Sequence, residues 1–305
     1  MSTAKGTIIV TGANGGLGTA IVDQTFQPEH EGYHGLYTVR DANSAHALNS
    51  VLSTSTSHTY DIISLDLTKL DSVRQIPPIQ ALILNAGFQD FGKQAWTDDG
   101  LDTTFSANYL GHWLLTLLLL RSMNKDCGRI VLVGSQSHDP YDKRNESTKA
   151  FIDEKYKTFV HDQATFEAIA KGTWSSAQQD PSYRSGYRRY GAAKLYLIMM
   201  QHELQRRMNH DPVLGNICIL GVDPGSMSTS LQLRSTQKSA SHVLRAAFDS
   251  SPLLGEFPKD LYFHGNTPLE TSAESRDPKK RDLVWKETVR YANLKEGETI
   301  LTDWR

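Results

Sequence analysis

The feature that most constrains this chain is a glycine-rich segment that directly follows an apolar strand pattern near the N-terminus. Residues 7–10 predict a short buried strand, and residues 11–18 then read T-G-A-N-G-G-L-G. Apolar residues at helical spacing continue to Phe26, so the order is strand, glycine-rich turn and helix. This arrangement offers backbone N–H groups and a helix N-terminus to a phosphate. We therefore expect dinucleotide binding here; the alternative is a glycine-rich turn without a ligand.

The end of the second predicted strand, residues 36–39, bears on which dinucleotide would bind. Arg40 and Asp41 follow it, where such folds place the adenosine ribose. An arginine suits a ribose 2′-phosphate, whereas an acidic side chain suits a free 2′-hydroxyl. Arg40 favours NADP(H) over NAD(H), and Asp41 is the opposing signal. The alternative for Arg40 is a solvated loop arginine.

The third predicted strand, residues 62–65, ends at Asp66 and Leu67. The carboxylate of Asp66 either accepts hydrogen bonds from an adenine amino group or caps a helix that begins near residue 68. The sequence leaves both interpretations open.

The fourth predicted strand and the helix after it add further polar residues. Residues 81–84 are continuously apolar, as in a parallel sheet buried on both faces, and Asn-Ala-Gly follows at residues 85–87. A long helix is predicted from Asp98. It is leucine-rich all round and therefore buried, so Asn108 within it needs a hydrogen-bond partner.

Two more strands, residues 129–133 and 216–220, complete the pattern; Ser135 closely follows the first of them. A serine at the carboxyl end of a parallel strand faces the crevice where ligands bind; its alternative is an ordinary turn or cap residue. Strands alternating with helices predict an α/β fold, a doubly wound, mostly parallel sheet with helices on both faces. We expect one domain over residues 1–305.

Tyr190 and Lys194 are four residues apart in a predicted helix, so they lie on one face of it. A nearby ammonium stabilises a phenolate, and we expect it to lower the pKa of Tyr190. The phenol would then exchange a proton with an alcohol or a ketone near neutral pH. The alternative is a surface helix with a solvated lysine.

Composition excludes several other classes. The net charge of −2 and the absence of a basic block do not suggest nucleic-acid or anionic-membrane binding. The longest apolar run, residues 113–120, is too short to span a bilayer. The two cysteines, Cys127 and Cys218, imply no disulfide framework, so we expect a cytoplasmic location. The 11 histidines show no metal-ligand spacing on one element, and we expect no metal site.

Together these motifs resemble the short-chain dehydrogenase/reductases in their short, single-domain form. The match runs in order over residues 7–230 and ends at Pro224-Gly225 and Thr229. The glycine spacing also fits the longer, epimerase-type relatives. The Asn-Ala-Gly turn and the shorter C-terminal region favour the short form.

The resemblance implies specific roles. Ser135 would hold the substrate oxygen, Tyr190 would be the general acid or base, Lys194 would bind the nicotinamide ribose, and Asn108 would position a water in a proton relay. Cofactor contacts are implied at Gly12, Asn14, Gly16, Leu17, Gly18, Arg40, Asp66, Leu67, Asn85, Ala86, Gly87, Tyr190, Lys194, Pro224, Gly225 and Thr229.

The chain departs from the family pattern in one segment. Tyr190 comes 55 positions after Ser135, whereas about a dozen positions separate the two in the shortest members. The extra segment, about residues 136–186, predicts a helix over residues 149–160 and a second near 164–170. A similar enlargement occurs in monomeric carbonyl reductases of the family. We expect this insert to cap the substrate cleft and to cover helix surface that dimeric relatives use for association, giving a monomer or a homodimer.

The resemblance therefore implies an NADP(H)-dependent oxidoreductase that interconverts a small-molecule ketone or aldehyde with an alcohol. The chain is also similar to fungal members, some of which act in secondary metabolism. The part from about residue 232 is expected to shape substrate choice, and residues 228–241 to form a lid. The alternatives are a dinucleotide sensor without enzyme activity, or an epimerase or dehydratase reaction on the same fold.

Overall fold

Eight strands form one sheet in a computed structural model that describes residues 4–54, 58–65, 78–225, 235–252 and 254–305. The strand order is β3-β2-β1-β4-β5-β6-β7-β8, and every pairing is parallel except that of β7 with β8. The strands are β1 (Gly6–Val10), β2 (Tyr33–Val39), β3 (Thr59–Ser64), β4 (Ile79–Leu84), β5 (Arg129–Val133), β6 (Cys218–Asp223), β7 (Tyr262–His264) and β8 (Thr267–Pro268).

Helices connect most of these strands. They are α1 (Gly16–Gln24), α2 (His46–Leu52), α3 (Thr103–Phe105), α4 (Gly111–Leu119), α5 (Gln163–Ala170), α6 (Tyr183–His210), α7 (Thr236–Phe248), α8 (Ala273–Arg276) and α9 (Pro278–Ala292).

Two apolar cores lie on opposite faces of the sheet. Side chains alternate in direction along a strand, and in β1 Ile9 enters one core while Ile8 and Val10 enter the other. Helices α4, α6 and α9 cover the first face, and α1, α2 and α7 cover the second. The doubly wound α/β fold is confirmed, and burial on both faces explains the continuously apolar strands.

The helix that contains Asn108 begins later than residue 98. The carboxylate of Asp102 caps its first turn by accepting from the backbone N–H groups of Thr104 and Phe105. A π-helical turn over Ser106–Leu110 then separates α3 from α4. Such turns are local widenings of an α-helix that often accompany functional sites, and no residue pattern in the sequence indicated this one.

The insert does not form the helix predicted over residues 149–160. Lys149 has φ +54°, a left-handed backbone conformation that ends the short 3-10 helix Lys143–Thr148. In the rest of the predicted range, residues 150–160, only Glu154–Tyr156 is helical, again as a 3-10 turn. Phe151 is buried, but Ile152 beside it is 68% exposed, so these apolar residues do not share a helical face. The second helix predicted in the insert is confirmed as α5.

Helix α5 packs on the main fold through Phe166. Its ring stacks on Tyr196 of α6 with centroids 5.3 Å apart and meets Phe105 of α3 edge-on at 5.8 Å. Tyr291 of α9 lies on another side at 5.5 Å. The insert therefore covers parts of three helices that would otherwise present apolar surface.

The described residues contain neither a membrane-spanning helix nor a metal-binding cluster. No helix there is long and apolar enough to cross a membrane, and those same ranges hold no group of three or more histidine, cysteine or acidic residues arranged to bind a metal ion.

Candidate functional site

The glycine-rich turn leaves the N-terminus of α1 open. Gly15 occupies the N-cap position, and within the described part of the chain no side chain caps the first turn. Gly15 and Gly16 are both exposed. The first backbone N–H groups of an α-helix have no partner inside the helix and carry partial positive charge. The turn therefore fits the pyrophosphate of a dinucleotide.

Two glycines are required by the packing of this turn. A Cβ on Gly18 would lie 2.3 Å from the carbonyl oxygen of Gly12, and a Cβ on Gly12 would lie 2.8 Å from Cα of Ala86. Gly12 also has φ +65°, a conformation that side chains disfavour. Leu17 lies between them in sequence, and its side chain is buried in the core.

Asn85 joins the fourth strand to the glycine-rich turn. Its Nδ2 donates to the carbonyl oxygen of Thr11 at 2.8 Å and to that of Gly12 at 3.3 Å. The N–H of Ala86 donates to Oγ1 of Thr11 at 2.9 Å. The predicted Asn-Ala-Gly segment therefore supports the turn directly.

Arg40 and Asp41 have different environments at the end of β2. The carboxylate of Asp41 accepts from the N–H of Asn43 at 2.9 Å and so caps a local 3-10 turn. Arg40 is exposed. Asn14, on the glycine-rich turn, uses its Oδ1 to accept from the N–H of Leu48 in α2 at 3.0 Å. Asp41 is exposed as well, but one oxygen of its carboxylate accepts from its own turn, whereas Arg40 is an exposed cation beside the strand end.

Ser135 lies where β5 ends, and the turn after it holds its hydroxyl. Oγ of Ser135 accepts from the N–H of Ser137 at 3.2 Å and from Oγ of Ser137 at 3.0 Å. Ser137 is fully buried. Because these two bonds occupy lone pairs of Ser135 Oγ, its own hydrogen remains available to donate to a substrate oxygen.

Helix α6 brings Tyr190 and Lys194 to the same place. Nζ of Lys194 donates to the carbonyl oxygen of Val133 at 2.8 Å and lies 5.5 Å from the ring centroid of Tyr190. The hydroxyl of Ser135 is near enough to the Tyr190 phenol to lower its pKa. The structure thus unites the serine, tyrosine and lysine that the sequence placed up to 59 positions apart.

The expected direction of the tyrosine shift was wrong. Burial of the phenol raises the pKa of Tyr190 above its ordinary value, and the nearby hydroxyl of Ser135 offsets only part of this. Burial also lowers the pKa of Lys194 to about 8, although the charge of Asp223 opposes the change. The ammonium is directed at a backbone carbonyl, and desolvation outweighs any charge effect on the phenol. Tyr190 is therefore protonated at neutral pH.

Asn108 is close to Lys194 but its amide is engaged. Nδ2 donates to the carbonyl oxygens of Phe88 and Thr104 at 2.7 and 2.8 Å, and Oδ1 accepts from the N–H of Phe88 at 2.9 Å. A Cβ on Gly87 would lie 3.3 Å from this Oδ1 and 3.9 Å from Nζ of Lys194. The side chain anchors the loop after β4, and only one lone pair of Oδ1 is left for a water.

Two arginines before Tyr190 attach the insert to α6. Arg188 donates to the carbonyl oxygen of Ala150 at 3.2 Å and pairs with Asp180 at 2.5 Å. Arg189 pairs with Asp90, which belongs to the loop after β4, at 2.6 Å. The insert and that loop are therefore both fastened one turn or less from Tyr190.

Some site residues were missed or lie outside the described ranges. His112, one helical turn after Asn108, approaches Oγ1 of Thr11 within 3.3 Å through Nε2; a histidine inside an apolar helix was a signal that could have found it. Asp66, Leu67 and Thr229 lie outside the described residues. Residues 228–234 of the predicted lid also lie outside them, whereas Ser235 is the N-cap of α7 and residues 236–241 begin that helix instead of a lid.

The fold and this cluster define a Rossmann-type oxidoreductase. A family model described as "short chain dehydrogenase" matches residues 6–153. The short-chain dehydrogenase iccH of Talaromyces variabilis is 38% identical over 98% of this chain and 99% of its own length. The chain belongs to the short-chain dehydrogenase family, whose members are enzymes that use nicotinamide cofactors.

Solved structures agree on the fold. An uncharacterized protein from Mycobacterium paratuberculosis superposes with a TM-score of 0.68 at 23% identity, covering 96% of each chain. An NADPH-bound carbonyl reductase from chicken fatty liver gives a TM-score of 0.56 at 16% identity, covering 87% of this chain and 98% of its own.

Proposed function

We propose that this chain is an NADP(H)-dependent oxidoreductase that interconverts a ketone or aldehyde with an alcohol, with Tyr190 as its general acid and base. The observation that carries the proposal is the placement of Ser135, Tyr190 and Lys194 together at the carboxyl edge of the sheet, with Nζ of Lys194 5.5 Å from the ring centroid of Tyr190. This edge adjoins the open helix N-terminus that fits a pyrophosphate.

The preference for NADP(H) is supported by the charges at the end of β2. Arg40 is exposed there, whereas the carboxylate of Asp41 accepts a hydrogen bond from the N–H of Asn43. A guanidinium can bind a 2′-phosphate through paired hydrogen bonds. The carbonyl reductase from chicken fatty liver, similar in fold, is described with NADPH bound.

The bound cofactor would supply the hydride, and the chain would supply alignment and the proton. Ser135 would donate its free hydrogen to the substrate oxygen. Tyr190 would donate a second hydrogen bond and transfer its proton as negative charge develops on that oxygen. Because burial raises the pKa of Tyr190, the phenol is in its acid form at neutral pH. This is the form that protonates the substrate oxygen in carbonyl reduction.

Lys194 and Asn108 would support this chemistry from the cofactor side. Lys194 would bind the nicotinamide ribose, since its Nζ, at 2.8 Å from the carbonyl oxygen of Val133, is held at the end of β5. Asn108 would keep the loop after β4 in place and accept from a relay water with its remaining lone pair. The predicted contacts at Asp66, Leu67 and Thr229 stay predictions.

We also propose one catalytic domain over residues 1–305, in which the insert, residues 136–186, caps the substrate cleft and limits association. The packing of Phe166 on α3, α6 and α9 supports the claim that the insert limits association, because this packing covers helix surface. Substrate choice is assigned to the part from about residue 232. A stable dimer or tetramer in light scattering would count against the claim that the insert limits association.

The test is consumption of NADPH with a panel of aromatic, alicyclic and aliphatic carbonyls, comparing the wild-type protein with Tyr190→Phe. A matched control is Tyr196→Phe on the same helix, because the Tyr196 hydroxyl has no hydrogen-bond partner among the described residues. Turnover that disappears only in Tyr190→Phe supports the proposal. Saturable NADPH binding without any turnover would favour a sensor, and catalysis without net cofactor consumption would favour an epimerase.

A further inference from the structure

A charged cluster beside the proposed site joins three separate parts of the chain. Arg144 belongs to the insert, Asp223 is the last residue of β6, and His264 is the last residue of β7. Nη1 of Arg144 lies 2.8 Å from Oδ2 of Asp223 and 2.7 Å from Nδ1 of His264. Because a guanidinium has only donors, Nδ1 of His264 accepts this bond.

Two other nitrogens of Arg144 donate to Asp142. Its Nε lies 3.0 Å from both carboxylate oxygens of Asp142, and its Nη2 lies 2.5 Å from Oδ2. Both hydrogens of Nη1 are used by Asp223 and His264. Arg144 therefore connects the insert to the sheet. It has no pair of free N–H groups with which to bind an anionic ligand.

Asp223 links Arg144 to the turn that follows β6. Its side chain is 4% exposed, so its negative charge requires compensation inside the protein. While Oδ2 binds Arg144, Oδ1 accepts from the N–H of Gly225 at 2.9 Å. Gly225 has φ +80°, so this bond holds the turn in a conformation that few residues other than glycine adopt.

The charge of Asp223 also reaches the catalytic groups. It raises the pKa of both Tyr190 and Lys194, and Arg144 is the cation that pairs with it directly. Loss of Arg144 would deprive the buried carboxylate of this guanidinium and leave it with the N–H of Gly225 and the ring of His264, whose Nδ1 lies 3.4 Å from Oδ2.

We propose that Arg144 is a positioning residue that couples the insert to dinucleotide binding, by holding Asp223 and through it the turn at Pro224 and Gly225. This inference rests on the proposed function and on the cofactor contacts that the family resemblance implies at Pro224 and Gly225. The insert then does more than cover a cleft, because its attachment sets the shape of the cofactor site.

The test measures NADPH binding by fluorescence titration of the full-length protein, independently of turnover, together with the melting temperature. We expect Arg144→Met to raise the Kd for NADPH about tenfold, the effect of removing one buried charge-assisted hydrogen bond. The double variant Arg144→Met with Asp223→Asn also removes the negative charge that Arg144 would no longer neutralise. It should therefore bind NADPH more tightly than Arg144→Met alone. The control is Arg305→Met, which removes an exposed ion pair with Glu296.

The outcomes separate the two claims. If the wild-type protein binds NADPH and folded Arg144→Met binds it within about twofold of the wild type, the coupling is refuted while the function stands. If Arg144→Met does not fold, the double variant decides: native affinity in it would show that Arg144 is not needed for binding. A wild-type protein that binds no NADPH would overturn the cofactor assignment and this inference with it.

Discussion

The backbone oxygen of Ser137 lies 2.5 Å from the point where a Cβ of Gly191 would stand. Gly191 immediately follows Tyr190 on α6, and Ser137 lies in the turn that begins at Ser135. The missing side chain therefore lets this turn approach the helix that carries Tyr190, and this approach brings Ser135 near the phenol.

Gly191→Ala should separate Ser135 from Tyr190. A displacement of about 1 Å in a catalytic constellation can cost on the order of a hundredfold in rate, so we expect kcat to fall by about that factor. NADPH binding should change little, because the glycine-rich turn is untouched. The control is Gly215→Ala, where the nearest atom to a new Cβ is 3.6 Å away. Unchanged kcat in folded Gly191→Ala would contradict the packing argument.

Ser137→Ala should weaken catalysis without weakening cofactor binding. The variant removes the hydroxyl that donates to Oγ of Ser135 at 3.0 Å but keeps the backbone N–H that donates at 3.2 Å. We expect kcat to decrease roughly five- to tenfold, the effect of about one neutral hydrogen bond. Ser137→Thr keeps a hydroxyl and should recover most of the rate. Equal rates for the alanine and threonine variants would show that the hydroxyl does not orient Ser135.

The order of the motifs could be predicted because a parallel sheet brings the carboxyl ends of its strands to one edge. The bounds of β5 were predicted correctly, and Asn85 and Ser135 were placed at strand ends where the structure has them. Lone polar residues inside apolar patterns, such as Asn108, also marked real contacts. Local sequence was therefore sufficient wherever the topology of the sheet fixed the neighbours.

The insert could not be predicted in the same way. A helix was predicted over residues 149–160, but Lys149 adopts a left-handed conformation. Phe151 is buried there, whereas its neighbour Ile152 is exposed. The contact of Arg144 with Asp223 joins residues 79 positions apart, and no local pattern announces it. The direction of the Tyr190 shift was missed because desolvation depends on tertiary packing, which spacing along a helix does not reveal.

The pH dependence of kcat/KM should report Lys194. Burial lowers its pKa to about 8 in the free protein, and kcat/KM follows the ionisation of the free enzyme. If the ammonium is required, kcat/KM should be constant below about pH 7 and fall as pH rises through about 8. Tyr190 should not contribute to this fall, because its own pKa is raised. A profile that stays flat up to pH 10 would show that the charge of Lys194 is not needed.

The same shift predicts a stability trend of opposite sign. The ordinary pKa of lysine, 10.5, lies above the folded value, so between about pH 8 and 10.5 the unfolded state binds more protons than the folded state. The free energy of unfolding contributed by this group should therefore rise with pH in that window. Lys194→Met should remove this part of the pH dependence in chemical denaturation, whereas an unchanged slope would contradict the shift.

Arg40→Asp should change the cofactor preference. The variant removes the exposed cation that would bind a 2′-phosphate and adds a carboxylate that repels it, so the ratio of Kd for NADPH to Kd for NADH should rise at least about tenfold. Arg305→Asp makes the same charge change at an exposed position far along the chain and serves as the control. An unchanged ratio in Arg40→Asp would contradict the assignment of NADP(H).

The most direct test of the central claim follows the hydride itself. NADPH carrying deuterium at both hydrogen positions of C4 of the nicotinamide is supplied with an active carbonyl from the panel, and the alcohol is analysed by mass spectrometry. The account predicts one deuterium on the carbinol carbon, one NADPH oxidised for each alcohol formed, and loss of both in Tyr190→Phe. A product without deuterium, or turnover without net oxidation of NADPH, would contradict it.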